Sequence, residues 1–79
     1  MKTIGQEYMV TVGKKPNGVL VKAPMTLEKI EEYKGQTIYV FDDDISKFVS
    51  YEYKIIDWKF LNEINKKFLG VGISDMYWK

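Results

Sequence analysis

The clearest strand pattern in the chain lies in residues 37–56, which read TIYVFDDDISKFVSYEYKII. The first five of these residues are β-branched or aromatic throughout, which is typical of a strand buried on both faces. Three adjacent aspartates, Asp42, Asp43 and Asp44, end this strand because like charges repel and aspartate favours turns. Residues 47–56 then alternate between two faces with period two, as a strand does. We therefore expect two paired strands joined by an acidic turn.

The residues before this pair predict a β-hairpin. Residues 7–12 alternate between apolar and other side chains with the period of a strand. Residues 13–18 contain a Pro-Asn-Gly turn signal, and an apolar pattern resumes at residues 19–22. Pro24 is expected to end the second strand of this hairpin because proline lacks the backbone N–H.

A first helix is predicted between the hairpin and the central pair, over residues 27–34. Thr26 is a suitable N-cap, and Gly35 is placed to adopt the left-handed conformation after the last turn. Leu27 and Ile30 are three residues apart and are expected to face the core.

The second predicted helix has the clearest signals in the chain. Asp57 is placed as its N-cap, residues 58–69 repeat apolar side chains at steps of three and four, and Gly70 stands at the natural stop. Its expected buried stripe consists of Trp58, Leu61, Ile64 and Phe68. Apolar and aromatic side chains within residues 71–78 predict a closing strand.

These elements predict one α+β domain spanning residues 1–79, in the order β-β-α-β-β-α-β. The simplest architecture is a largely antiparallel sheet with both helices packed on one face. A chain of 79 residues leaves no room for a second core.

The composition argues against most small-enzyme mechanisms. The chain has no cysteine and no histidine, which removes thiol nucleophiles, thiolate and imidazole metal ligands and the usual proton carrier at neutral pH. Ser46, Ser50 and Ser74 have no histidine to activate them. We therefore expect a protein that is not an enzyme and needs no cofactor.

The aspartate triplet suggests a metal site, but the residues that follow it at the EF-hand positions argue against one. An EF-hand loop starting at Asp42 would need glycine at position six and glutamate at position twelve, where this chain has Lys47 and Tyr53. A looser cation site that includes Glu52 is conceivable. A solvated acidic turn is the preferred interpretation, so no metal site is predicted.

An interaction surface is the preferred functional hypothesis. If both helices cover one sheet face, the other face carries Tyr39, Phe41 and Phe48 toward solvent, flanked by Asp42–Asp44 and Glu52. Aromatic rings with a polar rim have the composition of a protein interface. The alternative is that both faces are covered and the rings are core.

This surface predicts a small non-catalytic protein-binding module whose partner is a protein with a basic surface or a second copy of the chain, as a homodimer. Its composition, rich in lysine, isoleucine and tyrosine, suits an inhibitor or accessory factor from a low-GC bacterium or its phage. Such a domain would act by occluding a partner surface.

Nucleic-acid binding is the alternative hypothesis. Twelve lysines and 15% aromatic residues favour a stacking platform beside a basic groove, and the candidate lysines are Lys14, Lys15, Lys59, Lys66 and Lys67. The net charge of +1 and the absence of arginine argue against it.

We expect the protein to act in the cytoplasm. Lys2 is followed by Thr3, Ile4, Gly5, Gln6 and Glu7 rather than by the apolar run of a secretory signal. The longest strongly apolar run, Ile38 to Phe41, is far shorter than a membrane-spanning helix.

Overall fold

Four antiparallel strands and one helix make up the α+β domain seen in the computed structural model, which describes residues 2–73. The elements are β1 (Glu7–Lys14), β2 (Leu20–Tyr33), β3 (Gln36–Asp42), β4 (Lys47–Tyr51) and α1 (Trp58–Leu69). The strands form one sheet in the order β1-β2-β3-β4, so every strand pairs with its neighbour in sequence.

The long strand β2 belongs to two successive hairpins. Its first half pairs with β1 and its second half pairs with β3, and Thr26 is the residue that faces both Glu7 and Asp42. The pairing shifts between Thr11 and Gly13 in β1 and between Leu27 and Lys29 in β2. Because bulges bend a strand and increase its twist, these shifts bend the sheet.

The helix predicted over residues 27–34 is wrong, since these residues continue β2 to Tyr33. The spacing of three between Leu27 and Ile30 arises from the bulge at Glu28, which resets the alternation of the strand. The spacing of apolar residues in a bulged strand is therefore the same as in one turn of an amphipathic helix. Among residues 2–73 there is one helix, and the seven-element order is not observed.

A tight turn replaces the expected helix end at Gly35. Lys34 and Gly35 have φ angles of 52° and 75°, between the paired residues Tyr33 and Gln36. Two successive residues with positive φ match the turn that suits the twist of a two-residue hairpin. Gly35 adopts the left-handed conformation expected from the sequence, but it does so in a β-turn and not at the end of a helix.

Pro24 does not end β2 as predicted, because it lies inside the strand opposite Met9. The pairing of β2 with β3 begins only at Thr26, so β2 has one neighbouring strand at Pro24. A proline is tolerated there since the strand behaves locally as an edge.

The first hairpin and the carboxyl-terminal helix are confirmed. Lys15 donates its N–H to the carbonyl of Val19 at 2.8 Å and closes the turn between β1 and β2. The side chain of Asp57 accepts from the N–H of Phe60 at the start of α1, and Gly70 ends the helix in the left-handed region. Leu61 and Ile64 from the predicted stripe are fully buried.

One hydrophobic cluster joins the sheet to α1. It contains buried residues of all four strands together with Leu61, Ile64 and Ile73. Asn65 is also buried, and its side chain bonds the backbone of Val49 in β4. The helix is therefore fixed to the strand at the edge of the sheet.

Two predicted boundaries differ from the structure. Strand β4 ends at Tyr51 rather than at residue 56, and Ile55 is exposed although the alternation placed it on the face of Tyr51. Residues 71–73 are not part of the sheet, so the predicted closing strand is absent there. The remainder of that prediction lies outside the described residues.

Candidate functional site

The turn between β3 and β4, residues 42–46, forms a closed loop that we call the acidic tip. Asp43 donates its N–H to the carbonyl of Ser46 at 3.0 Å. Its Oδ1 accepts the backbone N–H of Ile45 at 2.9 Å and that of Ser46 at 2.8 Å. These backbone hydrogen bonds hold the pKa of Asp43 below its ordinary value of 3.8. Asp43 therefore fixes the loop, although both Asp43 and Asp44 are exposed.

The base of the acidic tip is joined to β2 by an ion pair. Lys47 donates to both carboxylate oxygens of Glu28, at 2.9 and 2.7 Å. This hydrogen-bonded pair raises the pKa of Lys47 and lowers the pKa of Glu28. Glu28 is the bulge residue of β2, and Asp42 faces Lys47 across β3 and β4. Lys47 thus joins the base of the tip to Glu28 in β2.

The apex of the acidic tip is an isoleucine that the sequence analysis did not identify as a site residue. Ile45 is 93% exposed, although it sits in a loop whose backbone is held by hydrogen bonds. The sequence feature that indicates Ile45 is its position as a single apolar residue between the aspartate triplet and Ser46. The structure makes it the most exposed of the large hydrophobic side chains in residues 2–73.

The expectation that Tyr39, Phe41 and Phe48 face solvent is wrong. Their exposed fractions are 3%, 1% and 0%. Phe41 lies directly opposite Phe48 in β4 and opposite Leu27 in β2, so the three side chains share one sheet face. Tyr8 from β1 packs edge-on against Phe41 at 6.2 Å between ring centroids. The bent sheet brings β1 over this face, which leaves the rings in the core.

Tyr39 and Glu52, which the sequence analysis placed in one candidate surface, do lie together. Burial, with a hydrogen bond to Glu52 as the second cause, raises the pKa of the Tyr39 hydroxyl. Both residues line a cleft of about 510 Å³ together with Lys2 and Tyr8. Glu52 is therefore separate from the acidic tip and belongs to this cleft.

The structure brings only part of the predicted lysine set together. The ammonium group of Lys14 lies 5.7 Å from the ring centroid of Trp58, the first residue of α1. Lys59 follows Trp58 on the helix, and Lys15 is exposed in the turn of the first hairpin. Lys14 and Lys59 therefore lie near the amino-terminal end of α1.

Lys66 and Lys67 are at the other end of the same helix. They occupy its last turn, roughly 10 Å along the axis from Lys59 at 1.5 Å per residue. Lysines in the last turn interact favourably with the helix dipole, which gives them a structural role. The five lysines do not form one patch.

A groove beside the start of α1 combines lysines with apolar and aromatic side chains, and we call it the basic groove. Its volume is about 440 Å³. Ile55, at its rim, is 88% exposed. The groove is lined mainly by Leu20, Lys22, Tyr53, Lys54, Ile55 and Trp58.

Comparison with protein-family models, curated proteins and solved structures found no match. Within residues 2–73, no helix has the length and apolar character needed to cross a membrane. In the same part of the chain, no group of three or more acidic side chains is arranged to hold a metal ion. The acidic tip, the basic groove and the cleft at Tyr39 are the three surface features of residues 2–73 that could bind a partner or ligand.

Proposed function

We propose that this protein is a small non-catalytic protein-binding module that docks through its acidic tip. The observation that carries the proposal is Ile45, a 93% exposed isoleucine at the apex of a hydrogen-bonded acidic loop. The buried rings Tyr39, Phe41 and Phe48 support the sheet and are not the contact surface.

The geometry of the acidic tip favours binding for two reasons. Burying an isoleucine side chain in a partner contributes about 1.5–3 kcal/mol. The bonds that Asp43 makes to Ile45 and Ser46 already order the loop, so little conformational entropy is lost on association.

The charge around Ile45 defines the partner. Exposed carboxylates beside an apolar group fit a protein surface with an apolar depression and a basic rim. Opposite charges on the two surfaces accelerate their encounter at low salt. Occluding such a surface is the way in which this module would act as an inhibitor or accessory factor in the cytoplasm.

The test uses two matched substitutions at exposed isoleucines. Wild type, Ile45→Lys and Ile55→Lys are immobilised and used to capture proteins from the native host, and the captured protein is then purified and its affinity measured. The proposal expects retention by wild type and Ile55→Lys and a loss of at least about tenfold in affinity with Ile45→Lys. Equal binding by all three proteins would overturn it.

The basic groove has lysines around apolar side chains, so a second copy of the chain also matches the description of the partner. Sedimentation of the purified chain is therefore run beside this test to measure self-association. Concentration-dependent association that Ile45→Lys and Ile55→Lys each abolish would identify a second copy as the partner. In that case, mixing the two variants pairs one intact tip with one intact groove and restores a 1:1 complex.

Nucleic-acid binding is retained as a second candidate because Lys14 lies over Trp58 at the edge of the basic groove. An indole with a nearby ammonium group suits stacking on a base with backbone neutralisation. The test is a gel shift with single-stranded and duplex DNA at ~50 mM salt, where phosphate contacts are strong. Lys14→Gln with Lys59→Gln should abolish any shift, and Lys66→Gln with Lys67→Gln should preserve it. Absence of a shift with wild type rejects this candidate.

A further inference from the structure

The cleft at Tyr39 holds an ammonium group that belongs to the chain itself. The Nζ atom of Lys2 lies 4.7 Å from the ring centroid of Tyr8 and 5.6 Å from that of Tyr39. Both distances are within the range of about 6 Å for attraction between a cation and an aromatic face. Two tyrosines thus share one cation.

An acidic side chain completes the surroundings of this cation. Glu52 lines the same cleft as Lys2, Tyr8 and Tyr39. Burial, and after it the nearby Glu52 carboxylate, raises the pKa of the Tyr39 hydroxyl. Aromatic faces combined with a carboxylate are the groups that recognise alkylammonium ions, because the ring quadrupole and the anion both attract positive charge.

The rings are held in place by contacts other than the lysine. The hydroxyl of Tyr8 accepts the N–H of Thr3 at 2.7 Å, and the ring packs edge-on against Phe41. Tyr39 is buried in β3 and its ring lies 6.3 Å from that of Phe41. The aromatic pair is therefore preorganised and does not depend on the position of the Lys2 side chain.

The backbone that carries Lys2 is also fixed independently of its side chain. Gly5 donates its N–H to the carbonyl of Leu27 at 2.9 Å, and Leu27 donates to the carbonyl of Gln6 at 2.9 Å. These bonds anchor the segment to β2. None of these bonds involves the Lys2 side chain, so movement of that side chain out of the cleft would leave them intact.

We propose that Tyr8, Tyr39 and Glu52 form a binding site for a methylated ammonium group, and that Lys2 occupies it as an intramolecular competitor. The ligand is a quaternary or methylated amine, either free or on a lysine side chain of another protein. Methylation favours such a ligand over Lys2 because a methylated ammonium is larger and less strongly hydrated than the lysine ammonium. The site is separate from the acidic tip, so the inference does not depend on the proposed function.

The test is a titration with tetramethylammonium chloride followed by NMR. Wild type, Lys2→Gln, and Lys2→Gln combined with Glu52→Gln are compared, with circular dichroism to show that each is folded. Removing a competitor held by an exposed cation–aromatic contact should tighten binding about two- to fivefold in Lys2→Gln. Saturable shifts should appear at the ring protons of Tyr8 and Tyr39, and the added Glu52→Gln change should weaken binding.

The control ligand is tert-butyl alcohol, which has a similar shape and no charge. Binding of the alcohol as tight as that of the cation would overturn the proposal, because the cleft would then be merely apolar. No saturable shift with folded Lys2→Gln, or equal affinity for wild type and Lys2→Gln, would also overturn it. A peptide containing one trimethyl-lysine separates the two sources: tighter binding of the peptide than of tetramethylammonium supports a protein ligand, and equal binding supports a free amine.

Discussion

The side chain of Asn65 hydrogen-bonds both backbone polar groups of Val49. Its Oδ1 accepts the N–H of Val49 at 2.9 Å, and its Nδ2 donates to the carbonyl of Val49 at 2.8 Å. Because β4 is the last strand of the sheet, Asn65 supplies there the two bonds that a further strand would make. A residue on α1 thereby protects the sheet edge and fixes the position of the helix.

The first prediction concerns Asn65→Leu. The substitution keeps the branched shape of the side chain but leaves the buried N–H and carbonyl of Val49 without partners, so the free energy of unfolding should fall by about 2–4 kcal/mol. Urea denaturation measures the change. Lys66→Leu, at the exposed neighbouring position, is the control and should change the stability by less than about 0.5 kcal/mol. A similar small effect at both positions would contradict the role assigned to Asn65.

The second prediction concerns pH. Glu63 accepts hydrogen bonds from Lys34 at 2.7 Å and from the Tyr33 hydroxyl at 2.9 Å, and these bonds hold its pKa below the ordinary value of 4.5. A carboxylate whose pKa is lowered by folding stabilises the protein above its unfolded-state pKa and loses that contribution as the pH falls through the folded value.

The stability difference between wild type and Glu63→Gln should therefore shrink as the pH falls from about 6 to about 3. Thermal denaturation at several pH values measures it. Glu32→Gln, an exposed position on the same strand as Tyr33, serves as the control. A difference that stays constant over this range would show that the Glu63 contacts do not involve its charge.

The third prediction concerns the turn between β2 and β3. Gly35 has a φ of 75°, a conformation that costs a residue with a Cβ atom about 1–2 kcal/mol. Gly35→Ala should lower the free energy of unfolding by that amount, whereas Gln36→Ala should have a smaller effect. If Gly35→Ala is neutral in chemical denaturation, the turn does not have the described geometry.

Residues 27–34, which were assigned to a helix, show the limit of prediction from sequence patterns in this fold. Helix α1 was predicted because Asp57, Gly70 and the apolar steps between them are local signals that agree with one another. The second half of β2 was mistaken for a helix because the bulge at Glu28 gives Leu27 and Ile30 a helical spacing. A bulge is set by pairing with another strand, which a local pattern does not contain.

The candidate site was predictable to a similar extent. The aspartate triplet correctly indicated an acidic turn, because local electrostatics and turn preferences act on adjacent residues. The burial of Tyr39 and Phe41 depends on β1 folding over the bent sheet, which is a long-range contact. Ile45 was overlooked because its exposure follows from the closed geometry of the acidic tip.

The fourth prediction tests whether Asp43 orders the acidic tip. Asp43→Ala removes the acceptor for the N–H groups of Ile45 and Ser46, and each bond contributes about 1 kcal/mol. Hydrogen exchange at these two amides should become about fivefold faster, while Asp44→Ala should leave it unchanged. Unaltered exchange in Asp43→Ala would mean that the loop is ordered by other contacts.

The most direct test of the central claim is the affinity of the purified captured partner for wild type, Ile45→Lys and Ile55→Lys at increasing salt. Docking through the acidic tip predicts that Ile45→Lys binds at least about tenfold more weakly, that Ile55→Lys binds as wild type does, and that added salt slows association. Equal affinities for wild type and Ile45→Lys, or a loss confined to Ile55→Lys, would contradict it.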